Sequence, residues 1–379
     1  MTQEIESFID RLLDYMDPAA EHLRTARERQ KTVFEGRECD FLPIMLNASL
    51  PKALADIPDY DYKECYYDAR KMLVSQLKGA ACAYAAQSDA VPSIRANNGT
   101  GIVATVLGAR QEAFADKMPW VTEHVPKKRI AAMDSIGEVR GAGIMPLVIE
   151  HLENMTERVA GRVAFMVSDT QSPFDVAHLV LGDDLFTELY DDRPFVHHLL
   201  RLCAQAYIAV TKINKEIIGE PMDAGHHSGL CMSRCGARAC EDSTTLVSRE
   251  HAEEFSLPHL KRALAPFAGG YVHYCGNGRA LFEPLLTLPQ ARVLNFGNPE
   301  MHDPESAMKA ILDAGKIYYG GWPRLKDESV QRYFERALGL LGGRKRGLIF
   351  APGLFEPPYD KSETVIEAWR SAHGEVFGS

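Results

Sequence analysis

The sequence predicts an α/β protein built as a closed (β/α)8 barrel, with a helical extension at its N-terminus. Two observations lead there. Short apolar runs alternate with amphipathic helical stretches, the mark of βαβ units and a parallel sheet, and there are about eight such runs, the number that closes a barrel. An open doubly wound sheet is the main alternative, and a third observation weakens its nucleotide-binding form. No G-x-G-x-x-G follows a first strand, and no G-x-x-x-x-G-K-[ST] occurs.

Residues 1–37 read as helix, with apolar residues at Ile5, Phe8, Ile9, Leu12 and Leu13, and are taken as the extension. Residues 38–379 are assigned to the barrel. Its strand candidates are 40–47 (DFLPIMLN), 90–98 (AVPSIRANN), 161–170 (GRVAFMVSDT), 221–231 (PMDAGHHSGLC), 269–277 (GGYVHYCGN), 291–297 (ARVLNFG), 316–321 (KIYYGG) and 346–353 (RGLIFAPG). The interval between residues 98 and 161 is long for one βα unit, so extra elements or a lid are expected there. Ser248 reads as the N-cap of a helix, with His251 three residues on.

Composition narrows the partners. The chain has 379 residues, 46% hydrophobic and 25% charged, with a net charge of −10. That balance speaks against nucleic acid or an anionic membrane as main partner, since both require a basic face. No apolar run approaches the ~20 residues of a membrane helix. The acidic, amphipathic start lacks the basic and apolar regions of a secretory signal. Eight cysteines without an export signal suggest a reducing, cytoplasmic setting, where spaced cysteines more often serve metals or catalysis than disulfides.

A barrel carries its chemistry at the C-terminal ends of the strands. The residues that follow the apolar runs are therefore the candidates. Asn47, Arg95, Asn97, Asp169, Gln171 and Asn277 are expected to contact substrate. His273 and Cys275 are two apart on one strand, so they share a face with Tyr274 opposite. An imidazole and a thiolate suit zinc. A buried core pair, and a cysteine nucleophile with its base, are the other readings of the same spacing.

The stretch 223–243 (DAGHHSGLCMSRCGARACEDS) holds two histidines, three cysteines and three acids. Its cysteine spacing does not match a zinc ribbon or finger. It reads instead as a βα loop over the mouth, in which Asp223, His226 and His227 act as acid or base, since histidine titrates near neutrality. A cysteine of this loop could also reach the metal, and Glu241 and Asp242 are expected to face the mouth.

The segments SDTQSPFDVAHLVLG (168–182), EDSTTLVSREHAEEFSLPHLKRAL (241–264), YVHYCGN (271–277) and FAPG (350–353) resemble the uroporphyrinogen decarboxylase superfamily. The resemblance runs over roughly residues 90–360 and implies a TIM barrel. The H-x-C-G element is similar to that of the branch of zinc-dependent methyltransferases that work with corrinoid proteins. That likeness implies Zn2+ on His273 and Cys275, with a further cysteine near the last strand. Here Leu354 stands where that cysteine is expected, so Glu300 and Glu356 become candidates to complete the site.

The resemblance also implies a small methylated compound, such as a methoxylated aromatic, as donor or acceptor. The corrinoid should sit on a separate protein, because the chain lacks the D-x-H-x-x-G corrinoid signature. The acidic N-terminal helix could serve a homodimer. The alternative is a cofactor-free decarboxylase. The first strand lacks the arginines with which decarboxylases of this superfamily grip their substrate's carboxylates.

Overall fold

The computed structural model describes residues 2–352 and 361–378. Its strands are β1 (Ser93–Ile94), β2 (Arg110–Glu112), β3 (Trp120–Glu123), β4 (Ala164–Phe165), β5 (Ala224–His227), β6 (Leu230–Ser233), β7 (Ala237–Cys240), β8 (Gly270–Tyr274), β9 (Ala291–Phe296), β10 (Ile317–Gly320) and β11 (Leu348–Phe350). Strands β7 to β11 form a five-stranded parallel sheet in sequential order, and β1 pairs with β4 in parallel.

Isolated bonds link these parts into a ring. Ile44 bridges Phe350 in parallel, and Met45 N–H donates to the Phe350 carbonyl at 2.7 Å. Asp89 N–H donates to Ile44 O at 2.9 Å, just ahead of β1. Ser172 N–H, beyond β4, donates to Cys240 O on β7 at 3.0 Å. Eight parallel positions thus follow one another, beginning with the segment around Ile44. The predicted runs supply seven of them.

The fourth does not come from 221–231. That stretch folds as an antiparallel hairpin of β5 and β6, with His227 opposite Leu230 and Ser228–Gly229 as its two-residue turn. Both turn residues have positive φ, +47° and +85°, as a hairpin turn matched to strand twist requires. The fourth position is β7, four residues with Arg238 at its centre.

The hairpin precedes its strand, so its base lies at the N-terminal ends of the sheet, where Lys215 Nζ donates to Ala224 O (2.7 Å) and Pro221 O (3.1 Å). Its tip rises inside the ring. Val91 N–H donates to Gly229 O at 2.9 Å, and the Tyr319 hydroxyl donates to Ser228 O at 2.9 Å. The segment is a plug from below, not a loop over the mouth. Leu230 and Met232 on one face of β6 are buried because they fill the interior.

The N-terminal segment is two helices, Thr2–Tyr15 and Glu21–Phe34, rather than one, parted at Pro18, whose ring cannot continue a helix. Their buried residues Ile9, Leu12, Leu13 and Phe34 belong to the same core as the barrel strands. Arg158 holds Glu6 and Asp10 at 2.7 and 2.6 Å across the contact.

The long interval contains the β2–β3 hairpin and the helices Ile102–Val106, Lys127–Ala131 and Met145–Val159. Ser248 caps helix Arg249–His251, accepting from His251 N–H at 3.3 Å. The helix Ser362–Phe377 closes the seam between first and last strands. Trp369 stacks on Phe350 (centroids 4.8 Å) and donates to Leu42 O at 2.9 Å. Among the described residues no helix is long and apolar enough to cross a membrane.

Candidate metal centre

The sheet register places Cys240 of β7 beside His273 of β8, and His273 beside Asn295 of β9. Neighbouring strands lie about 4.8 Å apart, so three side chains in one row meet without any special loop. Strand alternation adds Cys275, whose Sγ lies 3.3 Å from His273 Nε2. Asp242, two residues past Cys240, brings Oδ1 to 3.8 Å from the same nitrogen. One ligand atom each from Cys240, Asp242 and His273 falls within 4.8 Å of the others.

Hydrogen bonds fix how these groups point. Asn295 Nδ2 donates to the Tyr319 carbonyl at 2.6 Å, which settles the orientation of its amide. Its Oδ1 must then face His273 Nδ1, 2.5 Å away. An amide oxygen only accepts, so Nδ1 carries the proton. In the neutral imidazole Nε2 is therefore a bare lone pair, aimed at Cys275 and Asp242. A ring nitrogen held this way is the usual outer support of a metal-binding histidine.

Asp242 is pinned as well. Its Oδ1 accepts from Cys275 N–H at 2.6 Å and its Oδ2 from the Cys240 thiol at 3.1 Å. Asp175 fixes the turn below by accepting from Asp242 N–H (3.0 Å) and Ser243 N–H (2.8 Å).

The acids of this row and its turn lack a direct cationic partner: among the described residues Asp175, Glu241 and Asp242 have no Lys or Arg ion pair. Burial holds the Asp175 carboxyl well above its usual range, with Glu241 and Asp242 adding to the rise. Burial also lifts Glu241 to about 7. The Cys275 thiol is pushed up to about 11 by burial and then by Asp242, and Cys240 rises for the same kinds of reason. Two thiols and the Asp242 carboxylate around one lone pair suit a divalent cation, which would deprotonate the thiols on binding.

Below this row lies a cavity of about 400 Å³, lined by Arg95, Asn97, Asp169, His227, Arg238, Tyr271, His273 and Asn295 among others. Arg238 is two residues before Cys240 and shares its face. Asp169 pairs with Arg238, and its Oδ2 lies 3.3 Å from Arg95 Nη2. Gln171 Nε2 donates to Asp169 Oδ1 at 3.0 Å, and Asn97 Oδ1 accepts from Arg95 Nη2 at 3.3 Å. Arg95, Asn97, Asp169 and Gln171, four of the candidates for substrate contact, are thus linked to one another.

His227 reaches this cavity from the plug and packs on Tyr271, centroids 4.7 Å apart. Burial, then Arg95 and His273, lower its pKa to about 3. That shift favours the neutral imidazole, which bears on the acid-or-base role expected of it from the sequence.

The other candidates lie elsewhere. His226 alternates away, and its Nδ1 is 3.0 Å from Glu220 Oε1 at the hairpin base. Asp223 is exposed there, its carbonyl accepting from Cys235 N–H at 2.9 Å. Glu300 is exposed and turned to Asn298 Nδ2 at 2.8 Å. Asn277 is exposed and accepts from Arg279 N–H at 3.1 Å. Asn47 lines a separate cavity next to the hairpin tip. Glu356 and Leu354 lie outside the described residues. Arg238 and Asn295 were missed, although each sits inside a strand at a position whose alternation faces the interior.

No curated protein matches the sequence at a significant level. A solved structure described as a methyltransferase from Methanosarcina mazei superposes with a TM-score of 0.63 at 15% identity, covering 93% of this chain and 99% of that one. At that identity the likeness is one of fold. The family model for uroporphyrinogen decarboxylase (URO-D) matches residues 25–224, more than half of the chain, and includes the segment of Arg95 and Asp169. By that match the chain belongs to the uroporphyrinogen decarboxylase family.

Proposed function

We propose that the protein is a zinc-dependent methyltransferase, in which His273, Cys275, Cys240 and Asp242 hold the metal. It moves a methyl group between a small methylated compound and a corrinoid carried by a separate protein. The observation that supports this reading most is the bare Nε2 of His273, fixed by Asn295 and facing two thiols and a carboxylate. The metal, when bound, supplies Lewis acidity toward the heteroatom that carries the methyl group.

The residues of the chain do the rest. Asn295 keeps the His273 proton on Nδ1. Asp242 accepts from the Cys240 thiol and from the Cys275 backbone N–H, which holds both residues near that nitrogen. The cavity beneath positions the substrate against this row, and the hairpin plug with His227 closes its floor to water from the other end. The mouth above is the docking face for the corrinoid protein.

Metal analysis of purified protein tests the reading, with His273→Ala and Cys275→Ala alongside. Zinc far below stoichiometric, and no lower in the variants, would refute the metal set. Methyl transfer from methoxylated aromatics to reduced cobalamin tests the activity. A cofactor-free decarboxylase is the second reading, favoured by the buried Arg95–Asp169–Arg238 group. It predicts turnover that survives both chelation and Cys275→Ala.

A further inference from the structure

Two guanidinium groups share one carboxylate at the floor of the cavity. Arg238 is 7% exposed, and its Nε is buried with no hydrogen-bond partner. The Arg95 side chain is 16% exposed, and its Nη2 serves both Asp169 and Asn97. Asp169, 6% exposed, is the one acid of the cavity wall among the described residues. His227 adds no balancing charge, and its Nδ1 is also buried without a partner. The floor therefore carries two positive charges against one negative. It also presents one donor, Arg238 Nε, and one ring nitrogen, His227 Nδ1, that the protein does not satisfy, an arrangement costly to leave unmet.

From this geometry we infer that the cavity binds a substrate bearing one carboxylate, which seats on Arg238 and Arg95. The methyl-bearing end of the same molecule points up to the row of Cys240 and His273. The inference rests on the proposed methyltransferase reading for which end reacts, but the anion site stands on the arginines alone. The rows also set a length. Arg238 and Tyr271 lie two residues below Cys240 and His273, which along a strand is about 6.6 Å. A rigid spacer of that order, such as the ring of 4-methoxybenzoate, spans the two layers. A planar carboxylate suits paired guanidinium donors, which offer parallel N–H groups.

The experiment is a calorimetric titration of the full chain, both metal-loaded and after chelation. The probes are 4-methoxybenzoate, its neutral analogue 4-methoxybenzamide, acetate and acetamide. A charge-assisted contact should make each acid bind at least ~10-fold tighter than its amide in both forms of the protein. Arg95→Gln should erase most of that preference. Arg238→Gln should do the same if it folds. Asp169→Asn, which frees both arginines, should keep or strengthen acid binding, so that a folding defect in one arginine variant does not decide the matter.

Equal binding of acid and amide, or no saturable binding of either acid, would overturn the inference. So would a folded Asp169→Asn variant that has lost the acids. The two readings fail separately. A protein that holds no zinc and moves no methyl group, yet prefers the acids, refutes the proposed function and leaves the anion site in place. One that holds zinc and transfers methyl groups without any acid preference does the reverse.

Discussion

Replacing Asn295 by leucine is the sharpest probe of how the centre is built. Asn295 is no candidate ligand, yet it makes two short bonds, to His273 Nδ1 at 2.5 Å and Tyr319 O at 2.6 Å. Leucine has the same branched shape and number of heavy atoms, though more bulk, and makes neither. The imidazole then loses its reason to keep the proton on Nδ1, and the tautomer with Nε2 blocked becomes available. Losing one hydrogen bond to a group that gains charge on metal binding costs about 1.5–3 kcal/mol. Loss of such an outer support lowers metal affinity about 10–100-fold, which is about 1.4–2.7 kcal/mol. The two routes agree.

The assay is zinc competition against a chromophoric chelator, with urea unfolding in parallel. The expected result for Asn295→Leu is weaker zinc binding in that range and a stability loss of about 1–2 kcal/mol from the orphaned groups. Asn295→Asp keeps an acceptor facing Nδ1 and should hold zinc at least as well as wild type. A folded Asn295→Leu protein with wild-type zinc affinity, or an aspartate variant as weak as the leucine one, would refute the tautomer argument.

Three further outcomes follow. A Cβ at Gly297 would lie 2.6 Å from Cys275 Sγ and 3.2 Å from His273 Cε1. Gly297→Ala should weaken zinc binding without removing a ligand, and unchanged affinity in the competition assay would place Cys275 outside the set. A Cβ at Gly236 would lie 1.9 Å from Met222 O, a backbone atom that cannot swing aside. Gly236→Ala should lower the urea midpoint more than any other exchange named here, and a neutral result would contradict the seating of the hairpin base. The bonds to Cys231 and Glu220 outweigh burial and raise His226 from 6.5 to about 9. Its contribution, about 3 kcal/mol at most, is fully present below pH 6.5 and fades as pH climbs through about 9. Urea titrations of wild type and His226→Gln should therefore differ most below pH 6.5 and converge above about 9, and curves that run parallel throughout would show that the pair contributes nothing.

What the sequence revealed, and what it hid, has a physical pattern. Apolar runs such as VLNF and GLIF mark strands because they are buried on both faces, and those assignments stood. The fourth strand, ARAC, has a buried arginine at its centre and only four residues, so no apolar run announces it. Its neighbour PMDAGHHSGLC took its place in the reading, although the Ser-Gly pair between His227 and Leu230 is itself a hairpin signal. That one exchange moved Asp223 and His226 to the wrong end of the barrel. The H-x-C pair was legible because alternation is a local rule. Asn295 and Arg238 were not, because their roles depend on register between strands about 20 to 35 residues apart, which local pattern does not encode.

The same register bears on the proposed metal set, in which Leu354 stands where the resemblance led us to expect a cysteine. A metal set that needs a residue near the last strand draws on opposite arcs of the ring. Here Cys240 stands directly beside His273, with Asp242 on the following turn. In the proposed set the donors would come from two adjacent strands, with their spacing set by one parallel ladder. Cys240→Ala tests whether that ladder truly replaces the distant ligand. Cys240 is buried and small, so a purely structural role predicts a stability change of about 1 kcal/mol and unaltered zinc. A ligand role predicts folded protein whose zinc affinity falls by about 100-fold or more, with fewer protons released on metal binding because one thiol is gone. If affinity and proton release both stay at the wild-type level, Cys240 is a core thiol and the proposed set shrinks to His273, Cys275 and Asp242.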